Sequence, residues 1–350
     1  MFFQSRAHTP TQYDLPNPAN ALPVKCKIGM PNPAGVSSQF LVSVRSAIVT
    51  AVLVFFSCLT CAAAEAHVKW FVDTDNARVE NFESYSLTDA PVLICLAAVL
   101  LAIAVSAFLD TRLPVLRIAG TRTRHDFIEL LRIFTGMSLL LTAYEGALLA
   151  PHLQAQGNVG VVFVLLEALI GILLLANRFL QQAALLIFVL YLGIVQQFGV
   201  LPAFEYFNVF GIGLFLLFNS FRSPDNIRRY KDYSVDALRI CTGISLLVLA
   251  FTEKLAGALY GQAFLQTYDW NFMAAFGFEV FTDRLFVLAA GMTEAAFGLI
   301  LILGTTTRLT MLTVSLVMFT SNVVFILQGH ALPARTEFVG HLPFMVTALI

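Results

Sequence analysis

Ionisable side chains inside long apolar runs are the residues of this sequence that could carry chemistry. Glu253 and Lys254 stand at the end of one apolar run, and Glu294 lies near the middle of the next. An ionisable group at mid-bilayer costs at least about 2.5–3.5 kcal/mol on insertion scales, so each group requires a partner or a function. In such a setting, carboxylates can handle protons beside a lipid-soluble ligand such as a quinone.

The candidate catalytic residues share charge and a place in or beside an apolar run. They are Arg239, Glu253, Lys254, Glu294 and Glu337. A structural interpretation is equally open for such residues, because buried Glu and Arg can clamp neighbouring helices as ion pairs.

Aromatic residues and histidines provide two further candidate sites. Tyr268 and Trp270 belong to an aromatic-rich loop, 257–283, which is either an interfacial belt or an apolar lid over a quinone-like ligand. His67, which would be the first residue after signal cleavage, and His341 are the candidate metal ligands. No H-x-x-H or His/Cys spacing accompanies them, so satisfied interfacial histidines are favoured over a metal cofactor.

The composition indicates that the chain lives in a lipid bilayer. Of 350 residues, 58% are hydrophobic and 12% are charged, and the mean hydropathy is +0.79. A soluble domain carries about a quarter charged residues. The net charge of −1 provides no basic field for nucleic acid, and the five cysteines do not form a disulfide framework.

The first part of the chain is predicted to direct it to the membrane. Residues 1–66 read as a polar leader and a signal peptide, with small residues that fit cleavage after Ala66. An uncleaved anchor helix is the alternative. The region 67–125 then holds a short outer segment, a first span and an arginine-rich cytoplasmic loop.

Apolar runs predict nine membrane spans after the leader. They lie at 91–109, 127–150, 159–177, 183–200, 204–221, 235–256, 285–304, 309–327 and from 338 onward. Arginine and lysine cluster in alternate connections, which the positive-inside rule places in the cytoplasm. The predicted location is the bacterial inner membrane, with the mature N-terminus on the outer side.

A repeated ten-residue stretch divides the later spans into two modules. Residues 131–140 and 238–247 are identical at eight of ten positions, at a spacing of 107 residues. Both copies begin a long apolar run on the cytoplasmic side. The predicted fold is therefore all-α, a polytopic membrane protein with one N-terminal span plus two parallel four-helix transmembrane modules at 126–222 and 223–350.

A module that begins Leu-Arg-Ile-x-x-Gly and continues with a Glu-x-x-x-Gly helix ending near an arginine resembles the DoxX/DoxD-like family. The residues of the second module that match are Arg239, Gly243, Lys254, Glu294, Gly298 and Arg308. The first module has Glu167 but lacks the lysine and has Glu145 nearby, so a function that needs the lysine is not expected there. The resemblance, over roughly 127–350, implies a four-helix membrane protein, with some members linked to thiosulfate–quinone oxidoreduction.

Two functions are therefore open from the sequence. The first is the membrane subunit of a quinone-linked oxidoreductase, with a soluble redox subunit as partner. The second is a non-catalytic transport or membrane-assembly protein, whose buried charges are helix clamps. No phosphate loop or dinucleotide fingerprint occurs, which argues against an ATP-driven pump.

Overall fold

The computed structural model describes most of the chain after the predicted signal peptide. The described residues are 68–72, 76–79, 82–113, 121–221 and 223–350. The predicted leader and signal peptide, 1–66, and the candidate ligand His67 lie outside them.

The described chain is helical except for one short antiparallel ladder, β1 (Ala147–Leu148) and β2 (Ala150–Gln154). The helices are numbered in chain order. They are a one-turn 3-10 helix (Val68–Trp70), α1 (Ala90–Arg112), α2 (Thr121–Tyr144), α3 (Gly157–Leu175), α4 (Leu180–Phe198), α5 (Val200–Glu205), α6 (Phe207–Ser220), α7 (Pro224–Tyr230), α8 (Tyr233–Leu249, continued by a π-helix, Ala250–Leu255), α9 (Ala258–Tyr268), α10 (Phe272–Ala275), α11 (Asp283–Leu303), α12 (Thr307–Leu327) and α13 (Ala331–Thr347).

Seven helices in the described part of the chain are long and apolar enough to cross a membrane. They are α1 to α4, α8 with its π-helical end, α11 and α12. The protein is thus a polytopic helical membrane protein, as predicted, and these helices coincide with seven of the nine predicted spans.

The other two predicted spans, 204–221 and the one from 338, correspond to shorter helices, which are not among these seven. In the first, the chain leaves helical geometry at Tyr206, which leaves 14 residues for α6. At about 1.5 Å per residue this helix reaches about 21 Å, less than the hydrocarbon thickness of about 30 Å. In the second, α13 has 17 residues and contains Pro343.

The predicted span 127–150 also ends early. Helix α2 stops at Tyr144, and the chain then turns into the β1–β2 ladder. Gly146 has a φ of 75° at this turn, a conformation that favours glycine and that a helix cannot contain.

Two arginines show which ends of the helices lie together. Arg132 on α2 donates to backbone carbonyl groups in the last turn of α3, with 3.0 Å to Leu175 O. Arg239 on α8 does the same at the last turn of α11, with 3.0 Å to Ile302 O. Cations stabilise the carbonyl groups that a helix C-terminus leaves without partners. We call this end of the bundle the arginine end, and the opposite one, which holds β1 and β2, the ladder end.

The first helix of each predicted module packs against the last helix of the other. Helix α2 contacts α13, and α8 contacts α6. Phe127 at the start of α2 and Val235 at the start of α8 line one cavity at the arginine end. Both first helices therefore start from the same end of the bundle.

Paired glycines allow the first two helices of each predicted module to cross closely. An added Cβ at Gly136 would lie 3.0 Å from Gly171 O, and the reverse distance is 2.9 Å. For Gly243 and Gly298 both distances are 2.7 Å. Each glycine leaves room for the backbone of the other, which is the usual role of small residues at membrane helix contacts.

We expect Gly298→Ala to destabilise the protein, because its new methyl group would meet the Gly243 carbonyl group. Overpacking typically costs about 1–3 kcal/mol. The measurement is the thermal unfolding midpoint in detergent. Ala97→Val, on the exposed face of α1, is the control and should leave the midpoint unchanged. An unchanged midpoint for Gly298→Ala would contradict the close crossing.

Candidate functional site

The π-helical end of α8 places two adjacent charged residues inside the protein. Glu253 and Lys254 both belong to this turn, and both are buried. The ammonium group of Lys254 lies 2.8 Å from Glu294 Oε2 on α11 and 3.8 Å from Glu253 Oε2. Single π-helical turns occur frequently at functional sites. The structure thus brings together three of the predicted catalytic residues.

The short segment Val68–Trp70 reaches the same place from outside the membrane spans. Val68 is fully buried and donates its backbone N–H to Glu253 Oε2 at 3.0 Å. Lys69 forms an ion pair with Glu205 at the end of α5. The segment therefore supplies a hydrogen bond to one predicted module and a positive charge to the other.

Trp70 extends this contact to the last helix. Its Nε1–H donates to the Tyr206 hydroxyl oxygen at 2.9 Å. Its ring stacks on the His341 ring, with centroids 5.5 Å apart. His341 Nδ1 in turn lies 3.7 Å from Glu337 Oε1, one turn earlier on α13. A side chain at Gly340 would overlap the Trp70 ring, so glycine is required there.

We call this connected set of charged groups the junction cluster. Its members are Lys69, Glu205, Glu253, Lys254, Glu294, Glu337 and His341. It contains four carboxyl groups and two lysines, so carboxyl groups outnumber permanent cations by two. Buried charges without partners are costly in a low-dielectric interior. A cluster of this composition has a place for exchangeable protons.

Glu294 is the carboxyl group of the cluster that an outside ligand reaches most easily. Its side chain is 15% exposed, whereas that of Glu253 is 0% exposed. Glu205 and Glu337 are also buried. A ligand that approaches α11 therefore meets Glu294 first, with Lys254 directly behind it.

Arg239, which the sequence grouped with these residues, lies elsewhere in the structure. It is near the start of α8, about 21 Å from Glu253 along the helix at 1.5 Å per residue. There it bonds to the last turn of α11 and to Asp236 Oδ1, at 3.0 Å. Its contacts are those of a helix cap.

Tyr268 and Trp270 lie in an aromatic cluster at the ladder end. Trp270 is buried, and its ring centroid is 4.6 Å from that of Phe325. Phe71, the neighbour of Trp70 in the chain, contacts the Tyr268 ring at 6.2 Å. The aromatic cluster therefore adjoins the junction cluster through the segment that contains Phe71. The tip of the same loop, with Phe276, is exposed.

The described residues add no further ligands to the predicted metal site. Within the described ranges, no group of three or more His, Cys, Asp or Glu is arranged to hold a metal ion. His341 is 2% exposed, stacks on Trp70 and faces Glu337.

Glu167, the counterpart of Glu294 in the first predicted module, has a different environment. It is fully buried and accepts hydrogen bonds from the Thr142 hydroxyl and from the Leu149 backbone N–H, the latter at 3.1 Å. Leu149 has a φ of 60°, which is uncommon for a bulky residue. Neutral donors thus satisfy the carboxyl group of Glu167, whereas Lys254 satisfies that of Glu294.

Two groups at the edge of the junction cluster are neutral near pH 7. Burial, and then the positive charge of Lys69, lowers the pKa of His152 on β2 to about 3. Burial, followed by the charges of Glu253 and Glu205, raises the pKa of Tyr206 well above its usual value. These groups line the cluster without adding charge to it.

The site contains residues that the candidate set from the sequence did not include. Lys69 is 136 residues away from its partner Glu205, in a polar stretch without any motif. The sequence did contain a pattern that points to Glu205, because this residue follows a Leu-Pro-Ala run as Glu337 does in the second predicted module.

The fold and site together define a polytopic helical membrane protein with a charged cluster buried inside it. Comparisons of the chain with protein-family models, with curated proteins and with solved structures found no match.

We expect Lys254→Met to destabilise the protein by about 3–5 kcal/mol, because it leaves two buried carboxyl groups without their cation. The double variant Lys254→Met/Glu294→Met should regain part of this loss, since it removes one of the stranded acids. The measurement is the free energy of unfolding in a double-mutant cycle with Glu294→Met alone. Strictly additive losses would show that the two side chains do not interact.

Proposed function

We propose that this chain is a DoxX-like protein of the bacterial inner membrane that serves as the membrane subunit of a quinone-linked oxidoreductase. The observation that carries the proposal is the junction cluster, in which carboxyl groups outnumber lysines inside a membrane protein. Ionisable residues are kept in membrane interiors mainly where they move protons or ions or bind ligands. Reduction of a quinone inside the membrane requires protons there.

The proposal includes two parallel four-helix modules, α2 to α6 and α8 to α13. Several observations support this division. Gly136 meets Gly171 as Gly243 meets Gly298, and the repeated arginine caps the second long helix in both halves. Both first helices begin at the arginine end. The copies differ where chemistry is proposed, because Lys254 has no counterpart beside Glu167.

Reduction of a quinone to a quinol takes two electrons and two protons. We propose that a soluble redox subunit supplies the electrons and that Glu294 gives protons to the quinone oxygen atoms. The partial exposure of Glu294 and its 2.8 Å contact with Lys254 support this role. Lys254 would hold the carboxylate in place after each proton leaves, and Glu253 and Glu337 would pass on replacements.

The aromatic cluster supports the binding part of the proposal. Quinones have a flat conjugated ring and, in membranes, an apolar tail, and sites for such ligands are lined mainly by apolar and aromatic side chains. Tyr268 and Trp270 adjoin the junction cluster through Phe71. We propose that they form the wall on which the quinone ring rests. By the positive-inside rule, this site faces the outer side of the membrane.

A non-catalytic role in transport or membrane assembly is the second candidate. The observation that favours it is the dense pairing of the charges, since Val68 N–H and Lys69 tie an extramembrane segment to both modules. In this case the junction cluster acts as a clamp and no substrate reaches Glu294.

We expect Glu294→Gln to lower quinone turnover by about 100-fold or more, the usual contribution of a general acid. Glu167→Gln, at the matching position in the first module, is the control and should keep turnover near that of the wild type. The measurement is decylubiquinone reduction by membranes that contain each variant, with the soluble cell fraction of the same strain as the source of electrons, normalised to the amount of folded protein.

The same experiment separates the two candidate functions. Loss of turnover at an unchanged amount of folded Glu294→Gln protein supports the redox role. If turnover falls only in proportion to folded protein, the clamp role is favoured. Equal turnover in all three proteins would contradict the proposed role of Glu294.

A further inference from the structure

A small cavity lies where α2, α13 and the segment Val68–Trp70 meet. Its volume is about 20 Å³, and its wall includes Thr135, Ser138, Tyr206, Asn208 and His341. A cavity needs about 10–15 Å³ to hold one water molecule, which also needs about two to four polar partners. Both conditions are met here.

Thr135 provides an independent reason to place a water molecule in this cavity. The residue is 1% exposed, and its hydroxyl has no hydrogen-bond partner within the described part of the chain. Thr242, at the matching position of the repeat, donates to Leu238 O at 2.8 Å. A buried hydroxyl without a partner is costly, and a water molecule beside Thr135 removes that cost.

The two junctions between the modules differ at this point. At α8, Ser245 donates directly to the backbone carbonyl of Glu205, and Gly211 packs against Cys241. At α2, the matching residue Ser138 borders the cavity instead. The α2–α13 junction therefore retains a space at the position where the α6–α8 junction makes direct contact.

A larger cavity follows along the same helix, toward the arginine end. Its volume is about 410 Å³, and Thr242, Thr347 and the exposed Arg308 are on its wall. Phe344 borders the small cavity and Thr347 the large one. At 1.5 Å per residue, about 4.5 Å of helix separates these two positions.

Helix α13 is weakened in the turn that borders the small cavity. Pro343 lies inside the helix and has no N–H to donate, so the Val339 carbonyl lacks its helical partner. A turn without this bond opens more easily than a regular one.

We infer that the α2–α13 junction is a hydrated proton route between the arginine end and the junction cluster. A water molecule in the small cavity bonds to Thr135 and reaches His341, and bending of α13 at the weakened turn that ends at Pro343 joins it to water in the larger cavity. The direction in which protons move along this route rests on the proposed function. For each proton that Glu294 gives to a quinone oxygen, one proton from water at the arginine end enters the cluster and restores its charge.

The test measures hydrogen–deuterium exchange at the C2 carbon of the His341 ring, by mass spectrometry on protein in nanodiscs. This exchange requires solvent at the ring and needs no catalytic activity. His341 is 2% exposed, so solvent arrives only through an internal route. Thr135→Leu fills the small cavity and should slow the exchange severalfold. Thr313→Leu, a change of the same size on α12, is the control and should not.

Equal exchange rates in the wild type, Thr135→Leu and Thr313→Leu would overturn the route. If Thr135→Leu does not fold, Thr135→Val, which keeps the shape and removes the hydroxyl, takes its place with the same expectation. Decylubiquinone turnover of the same variants, measured in membranes with the soluble cell fraction as the source of electrons, separates the two claims. If exchange is slowed in Thr135→Leu but the wild type shows no turnover, the result supports the route and counts against the proposed redox function.

Discussion

The buried ammonium group of Lys254 is the interaction on which the rest of the site depends. It lies between Glu294 and Glu253, at 2.8 and 3.8 Å, and its side chain is buried. A lone buried cation would be very unfavourable, and so would the buried carboxylate of Glu253 without it. This mutual requirement holds α8 against α11 through the buried π-helical turn that carries Lys254.

The remaining charges are arranged around this centre from three directions. Helix α5 brings Glu205, helix α13 brings Glu337 and His341, and the segment Val68–Trp70 links both to Glu253. The first predicted module has a similar helix crossing, with a glycine pair and a buried glutamate, but it satisfies Glu167 with neutral donors. The ten-residue stretch that occurs twice in the sequence thus belongs to two similar helix crossings, and only the second adjoins the junction cluster.

Much of the architecture could be predicted from the sequence, because bilayer crossings require long apolar runs. Seven of the predicted spans are helices of the expected kind, and the motif glycines Gly243 and Gly298 lie where two of these helices cross closely. The early end of α2 and the division between α5 and α6 could not be predicted, because local turns such as the one at Gly146 interrupt sequences that remain apolar.

The site itself was predictable only in part. Glu253, Lys254 and Glu294 were recognisable, because charge in an apolar run is rare and expensive. Lys69 was not, because its ion pair with Glu205 depends on tertiary folding across 136 residues. Arg239 lies apart from the other candidates, because spacing along a sequence does not reveal that the two ends of α8 face different surroundings.

The central claim is that Glu294 changes protonation when quinone is reduced, and infrared difference spectroscopy tests it most directly. Spectra of the protein with reduced minus oxidised decylubiquinone should show a carboxyl band in the wild type and in Glu167→Gln. The account predicts that this band is absent in Glu294→Gln. The same band in Glu294→Gln, or no carboxyl band in the wild type, would contradict it.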